Sequence, residues 1–203
     1  MARIALIGAS GNVGTRILNE LVSRNHQVTA IVRDPAKIAA QAGVTAARGD
    51  VADPAGLAGV LKGHDAVISA VRFLDSDPAA LIDAVRASGV KRYLVVGGAA
   101  SLFVAPGKRL LDQPDFPAAY KDEATKGAAF LDALRGVSDL DWTFISPSAL
   151  FVPGERTGKF RLAKDELLVG EKGSTISYED YAVALVDEIE KPAHVRQRFT
   201  VGY

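Results

Sequence analysis

A single α/β domain, built on a parallel sheet doubly wound by helices, is the fold class this sequence predicts. Two observations predict it. Short apolar runs of strand length alternate with stretches of helical periodicity from one end of the chain to the other. The first run, Arg3 to Ile7 (RIALI), leads directly into Gly8-Ala9-Ser10-Gly11-Asn12-Val13-Gly14, and Ile17, Leu18, Leu21 and Val22 then recur at helical spacing. A buried strand that stops in glycines and opens into a helix is the repeating local unit of such a sheet.

The remaining elements follow in order. Gln27 to Val32 (QVTAIV) is a second strand, and Asp34-Pro35 opens a short helix, proline being suited to a first helical turn. Val44 to Ala47 is a brief third strand. Asp53-Pro54 caps a helix reaching about Leu61. Asp65 to Ala70 (DAVISA) is a fourth strand, and Pro78 to Ala87 is helical until Gly89 stops it. Arg92 to Val96 (RYLVV) is a fifth strand, Phe116 to Arg135 a long helix, and Asp141 to Ile145 (DWTFI) a sixth strand. Two stretches break the rhythm. Ala99 to Pro117 is a long loop leaving the fifth strand, on the side where open sheets bind ligands. Residues 146–175 read as a small C-terminal cap folded over the same edge, within one domain spanning residues 1–203. A helix from Tyr178 to Glu190 and a strand from Phe199 to Val201 close the chain.

Composition narrows the partners. The chain has 203 residues, 48% hydrophobic and 24% charged, which suits an ordinary globular protein with a substantial core. Lysine plus arginine (24) equals aspartate plus glutamate (24), with no basic block. Nucleic acid and membrane are therefore not expected as partners. Without cysteine there is no disulfide, no thiolate metal site and no cysteine nucleophile. His26, His64 and His194 lack spaced ligand partners, so no metal is expected. The N-terminal apolar run is too short for a signal peptide or a span and is needed as the first strand, so a cytoplasmic location is expected. A monomer or a homodimer is consistent with all of this.

The glycine loop carries the clearest chemistry. Gly8 permits the sharp turn after the strand, Gly11 lets backbone approach a pyrophosphate, and Gly14 lets the helix lie close on the strand. The N–H groups and positive dipole end of that helix, starting with Ser10, Asn12 and Val13, then face phosphate. The G-x-x-G-x-x-G spacing is the variant associated with short-chain dehydrogenases. Arg33, just past the second strand, can grip a 2′-phosphate and stack on adenine, which favours NADP, with NAD possible. Asp34 can instead act as an NAD-type acid, or cap the helix before Pro35. Asp50 can accept from the adenine amine with Val51 covering the ring, or serve only as a turn aspartate. Ser69, Ala70 and Val71 are small or slender residues that leave room for the ribose and nicotinamide.

GASGNVG, AIVRDP, GDVADP, DAVISA, VKRYLVVGGAASL, LDWTFISPSALFVPGERTGKF and the closing RFTVGY span nearly the whole chain. Together they resemble the atypical short-chain dehydrogenases/reductases. The nearest group is that called NADH-flavin reductases, among the NmrA-like and biliverdin-reductase-B-like relatives. The resemblance implies a Rossmann fold, a nicotinamide cofactor at Gly8 to Gly14, and a substrate pocket near Ser101 and Pro147. It does not name a substrate.

One departure from that wider superfamily discriminates between reactions. Alcohol-active members use a tyrosine with a lysine one helical turn later. Tyr120 and Ser101 are the candidate catalytic residues here, but residue 124 is alanine, and Lys121 and Lys126 sit at other steps. Reducing a ketone makes an alkoxide that needs a positioned acid, whereas a reduced flavin or quinone is a weakly basic anion that water can protonate. The expectation is therefore an oxidoreductase passing hydride from NADPH to a flavin-like or quinone-like small molecule. Two alternatives are a nicotinamide-sensing regulator without turnover and a sugar-nucleotide epimerase or dehydratase. Arg156, Lys159 and Arg161 can attract an anionic acceptor such as flavin phosphate, or form a mixed-charge rim with Glu155, Asp165 and Glu166. Phe103, Phe151 and Phe160 can form a stacking wall or pack in the core.

Overall fold

The computed structural model describes all of residues Met1–Tyr203. Its strands and helices are β1 (Arg3–Ile7), α1 (Asn12–Ser23), β2 (Gln27–Val32), β3 (Val44–Arg48), α2 (Pro54–Leu61), β4 (Ala66–Ser69), α3 (Pro78–Ser88) and β5 (Arg92–Val96). They continue as β6 (Phe103–Ala105), β7 (Lys108–Arg109), α4 (Lys121–Arg135), β8 (Asp141–Pro147), β9 (Leu150–Val152), β10 (Arg161–Ala163), β11 (Thr175–Ser177), α5 (Tyr178–Glu190) and β12 (Gln197–Gly202). The main sheet has eight strands in the order β10-β12-β8-β5-β4-β1-β2-β3. All its pairings are parallel except that of β10 with β12.

Side chains alternate between the two faces of this sheet, as strand geometry requires. On one face Ala5, Ile7, Val67, Tyr93, Val95, Trp142 and Phe144 pack under α2, α3 and α4, through Leu57, Leu61, Val85, Phe130 and Leu134. On the other, Ile4, Leu6, Ala30, Ile68, Leu94 and Ile145 pack under α1 and α5, through Ile17, Leu21, Tyr181 and Leu185. Two apolar layers on one sheet identify the doubly wound α/β class. The Tyr181 hydroxyl is buried and donates to the Ile145 carbonyl at 2.7 Å, and burial holds its pKa far above the usual tyrosine value.

The structure departs from the sequence expectations at α4, at β8 and in the two irregular stretches. The long helix begins at Lys121 rather than Phe116, after a separate 3-10 turn at Ala118–Tyr120. Pro117 bars Phe116 from helical backbone, so the apolar periodicity could not extend that far back. Within the long loop, Phe103–Ala105 and Lys108–Arg109 pair as a hairpin. The segment expected as a cap starts inside β8, which runs to Pro147. Part of it, Arg161–Ala163, adds an antiparallel edge strand to the main sheet, and Leu150–Val152 pairs with Thr175–Ser177.

The segment between β9 and β10 is strapped to the start of α5. Fully buried Asp180 accepts hydrogen bonds from the Thr157 and Gly158 amides at 2.8 and 2.7 Å and from the Tyr203 hydroxyl at 2.8 Å. Glu179 accepts from the Gly154 amide at 2.8 Å, and the Ser177 hydroxyl donates to the Glu155 carbonyl at 2.9 Å. No helix is long and apolar enough to cross a membrane.

Candidate active site

Strand order reverses beside β1: the chain moves outward through β2 and β3 on one side and through β4, β5 and β8 on the other. In open α/β sheets the crevice outside the carboxyl ends of the strands at such a switch point binds ligands. Gly8 sits there with φ +83°, a backbone region that side-chain-bearing residues avoid, and its amide donates to the Ile31 carbonyl at 2.9 Å. A Cβ on Gly8 would lie 2.5 Å from the Ala70 carbonyl oxygen and 3.2 Å from Val71, so the turn after β1 closes directly on the end of β4. A Cβ on Gly14 would lie 2.1 Å from the Gly8 carbonyl oxygen. Helix α1 therefore needs glycine in order to sit this near the strand.

Gly11 is different. It is exposed, has ordinary extended backbone (φ −75°, ψ 170°), and a Cβ there would meet nothing nearer than the Gly8 carbonyl oxygen at 3.4 Å. No constraint from within the chain demands glycine at this position. The helix behind it has no side-chain cap and no acidic residue in its first turn. By contrast Asp53, Asp77 and Ser177 cap α2, α3 and α5. The Asn12, Val13 and Gly14 amides have no partner within the chain, and the first amide of the helix to bond is that of Thr15, to the Gly11 carbonyl at 2.9 Å. An open glycine facing free amides and a positive helix end fits a pyrophosphate.

On the adenosine side, Arg33 lies exposed just beyond β2. Asp34 caps the 3-10 turn at Pro35–Lys37, its Oδ1 accepting from the Ala36 amide at 3.2 Å. Asp50 is likewise a turn residue, its Oδ1 accepting from the Ala52 amide at 3.0 Å. Val51 packs against the α2–α4 core. Ser69 is buried on the same face of the sheet as Val67, so it is the backbone past it, at Ala70 and Val71, that meets the glycine loop.

Beyond the ends of β5 and β8 lies a cleft of about 490 Å³. Gly97, Gly98 and Pro147 form its floor, and Ser101, Tyr120 and Pro147, the three residues expected from sequence on the substrate side, all line it. Its apolar walls are Phe73, Leu110, Phe116, Pro117 and Phe151. Ala124 faces this cleft as well, at the position where the dyad lysine would stand, whereas Lys121 and Lys126 are exposed and do not line it. Tyr120 is 67% exposed.

Long-range contacts shape the cleft. Glu123 accepts from the backbone amides of Phe73 and Leu74 at 2.8 and 3.0 Å, which fixes the turn after β4 against α4. Gly127 lets α4 lie on the Phe73 ring, since a Cβ there would meet that ring at 2.8 Å. Arg198, buried on β12, donates to Ser101 Oγ at 3.2 Å and Ser146 Oγ at 3.3 Å while paired with Asp165 at 2.5 Å. Burial lowers the Arg198 pKa, and the Asp165 carboxylate opposes that shift. Because the Ser101 oxygen accepts from Arg198, its own proton is free for the cleft. None of Phe73, Glu123 or Arg198 was legible as a site residue: their roles arise from partners 33 to 97 residues away.

The cations expected to attract an anion lie elsewhere. Arg156 is bound to Glu20 on α1 at 2.7 and 2.8 Å, and Arg161 donates to the Val169 and Tyr203 carbonyls. Of the three aromatic candidates only Phe151 reaches the cleft, with its ring 4.7 Å from both Tyr178 and Tyr181. Phe160 packs on the α1–α5 core, and Phe103 belongs to the hairpin. The histidines have structural partners: His26 with Glu190, His64 with Thr29 and Leu61, and His194 with Glu188.

A doubly wound parallel sheet with a glycine-lined helix start at its switch point, and an apolar cleft alongside, defines a nicotinamide-dinucleotide-binding protein of the Rossmann type. The NAD(P)H-binding family model matches residues 8–192, and the chain belongs to that family. It is 42% identical over 210 residues to the uncharacterized protein YwnB of Bacillus subtilis, covering 98% of this chain and 97% of the relative. A Bacteroides thetaiotaomicron structure described as a candidate epimerase is 44% identical with a TM-score of 0.94, covering 99% of this chain and 96% of that one. A Streptococcus pneumoniae structure described as a candidate NADH-flavin reductase is 39% identical with a TM-score of 0.84, covering 100% and 99%.

Proposed function

We propose that this protein is an NADPH-dependent reductase that passes hydride to a flavin-like or quinone-like acceptor held in the cleft. The observation that carries the reading is Ala124 on the cleft wall, where a ketone reductase would need lysine. When bound, the reduced cofactor supplies a hydride from its C4–H bond, two electrons with one proton, and the acceptor gains a second proton from water. The likeness to the pneumococcal protein described as a candidate NADH-flavin reductase supports the same reading.

The chain's own residues have positioning roles. Gly11 leaves room for the pyrophosphate and the amides of Asn12 to Gly14 hold it, Gly8 and Gly14 set the turn and the helix packing that present those amides, and Arg33 holds the 2′-phosphate. Asp34 is engaged as a helix cap, which leaves Arg33 as the side chain free to read the ribose end. The apolar walls exclude water and stack a flat acceptor near the nicotinamide at reacting distances of about 3–3.5 Å. Ser101 donates a hydrogen bond to the acceptor atom that gains charge. Epimerisation requires a group that takes and returns a proton or hydroxyl proton at a sugar carbon. Tyr120, without a neighbouring lysine in the cleft, is poorly equipped for that.

A screen of quinones, flavins, aldehydes and ketones against NADPH and NADH, followed at the nicotinamide absorbance band, tests the proposal. Turnover of quinones or flavins with NADPH, and little with ketones, is expected. Turnover of ketones alone, or none with any acceptor, would overturn it.

A further inference from the structure

We infer that the cleft selects uncharged acceptors, meaning quinones and unphosphorylated isoalloxazines, and discriminates against phosphate-bearing flavins. This deepens, and rests on, the reductase reading. The inference comes from the charges that line the cleft. Only two of its lining residues are ionisable at neutral pH, Asp115 and Glu123, and both are acids. Glu123 keeps its carboxylate in place by accepting the Phe73 and Leu74 amides, so it cannot turn away from a ligand without releasing that turn. Asp115 is exposed, on the segment that brings Phe116 and Pro117 to the wall.

No cation offsets them from inside. Arg72, 66% exposed and 4.0 Å from Glu123, does not line the cleft and faces a carboxylate already. Arg198 is buried behind Ser101 and paired with Asp165, so it presents the cleft with a serine hydroxyl rather than a charge. Arg156 and Arg161, the cap residues suited by sequence to receive a phosphate, are committed to Glu20 and to backbone carbonyls. Flavin phosphate sites need paired cations or clustered free amides. The free amides at the start of α1 belong to the cofactor pyrophosphate. An acceptor phosphate would therefore meet two carboxylates and no receiver. A flat apolar ring with carbonyl oxygens meets aromatic and proline walls and one serine donor.

Two unit charges about 8 Å apart in water shift an equilibrium by about twofold, so a doubly charged phosphate facing two carboxylates, four such pairs, is disfavoured by about fifteenfold. Salt screens such contacts at the mouth of an open cleft, so the discrimination shrinks as ionic strength rises.

The experiment compares riboflavin with FMN, and 1,2-naphthoquinone with its 4-sulfonate, in the wild type and in Asp115→Asn and Asp115→Lys variants at low and high salt. Binding of the two flavins to the NADP-loaded protein is read from isoalloxazine fluorescence, and turnover of all four from the nicotinamide band. The expected result is about fifteenfold tighter binding of riboflavin than FMN at low salt, with the FMN-to-riboflavin ratio rising about fourfold in Asp115→Asn and further in Asp115→Lys. The quinone pair should show the same order in kcat/KM. Equal or preferred use of FMN and the sulfonate by wild type, or ratios that ignore the Asp115 substitutions, overturns the inference. Flavin binding with the expected preference but no turnover of any acceptor would instead overturn the reductase reading and leave the selectivity standing.

Discussion

Glycines 11 and 14 lie three residues apart in one loop, and adding a single methyl group to each should have opposite consequences. At Gly14 the new carbon would stand 2.1 Å from the Gly8 carbonyl oxygen and 3.1 Å from the Ala9 Cα, both backbone atoms that cannot rotate aside. Helix α1 would have to move off β1. Overpacking of this kind costs about 1–3 kcal/mol, and in a chain of this size that lowers Tm by about 2–12 °C. At Gly11 the same carbon meets only the Gly8 oxygen at 3.4 Å, in backbone that alanine adopts freely. Alanine there gains about 0.4–1 kcal/mol by restricting the unfolded chain and loses a comparable amount as a poorer N-cap, so stability should stay within about 0.5 kcal/mol of wild type. The methyl group would instead occupy the approach to the free amides. Weakening one charge-assisted contact costs about 1.5–3 kcal/mol, or about a tenfold to 150-fold loss of cofactor affinity. Thermal unfolding and NADPH titration of Gly11→Ala and Gly14→Ala, side by side, measure both quantities. Wild-type NADPH binding by Gly11→Ala, or unfolding as early as that of Gly14→Ala, would overturn both assignments.

Other expectations can be checked with the same preparations. Arg33→Ala should weaken NADPH binding by about tenfold to 150-fold and leave NADH nearly unchanged, since a bidentate phosphate contact is lost only with the first. A wild type that prefers NADH and an unaffected mutant would remove Arg33 from the site. Tyr120→Phe should retain most quinone reductase activity; a loss of about a hundredfold or more in kcat would show that a general acid works there after all. The Glu20 carboxylate is held below its ordinary pKa chiefly by its hydrogen bonds from Arg156, with burial opposing and Arg24 adding. Its folded pKa lies below the unfolded value, so its contribution is present at neutral pH and disappears as pH falls below about 4. The stability gap between wild type and Glu20→Gln, measured by denaturant unfolding, should be about 1–3 kcal/mol at pH 7 and narrow below pH 4; a gap constant down to pH 3 would contradict this.

The parts of the fold that could be read from sequence are those whose causes are local. β1, the glycine loop and the start of α1 follow from apolar spacing and three glycines. Helix α5, Tyr178–Glu190, starts where Ser177 caps the Asp180 amide, and α3 ends where Gly89 takes a left-handed backbone. The hairpin of β6 and β7 did carry a local signal, Pro106 before Gly107 at φ +72°, as a type II turn requires. Its strands are only three and two residues long, too short for alternation to mark them. β10 could not be found at all, because Arg161–Ala163 is defined by pairing with Thr200–Gly202, about forty residues away. The same division holds at the site. The glycine loop is contiguous in sequence, whereas the cleft is assembled from the turn after β4, the hairpin loop, α4 and β8. Its charge became visible only when Arg156 was found on Glu20 and Glu123 on the Phe73 turn.

In the proposed reaction hydride leaves NADPH inside this cleft for an acceptor that needs no tyrosine–lysine pair. Single-turnover oxidation of NADPH by an uncharged naphthoquinone, with cofactor carrying deuterium at either face of C4, tests it most directly. Rapid oxidation is expected, slowed by deuterium on one face only, persisting in Tyr120→Phe and lost with cofactor binding in Gly11→Val. Tight cofactor binding with no oxidation, or oxidation slowed equally by deuterium on both faces and unaffected by Gly11→Val, would contradict it.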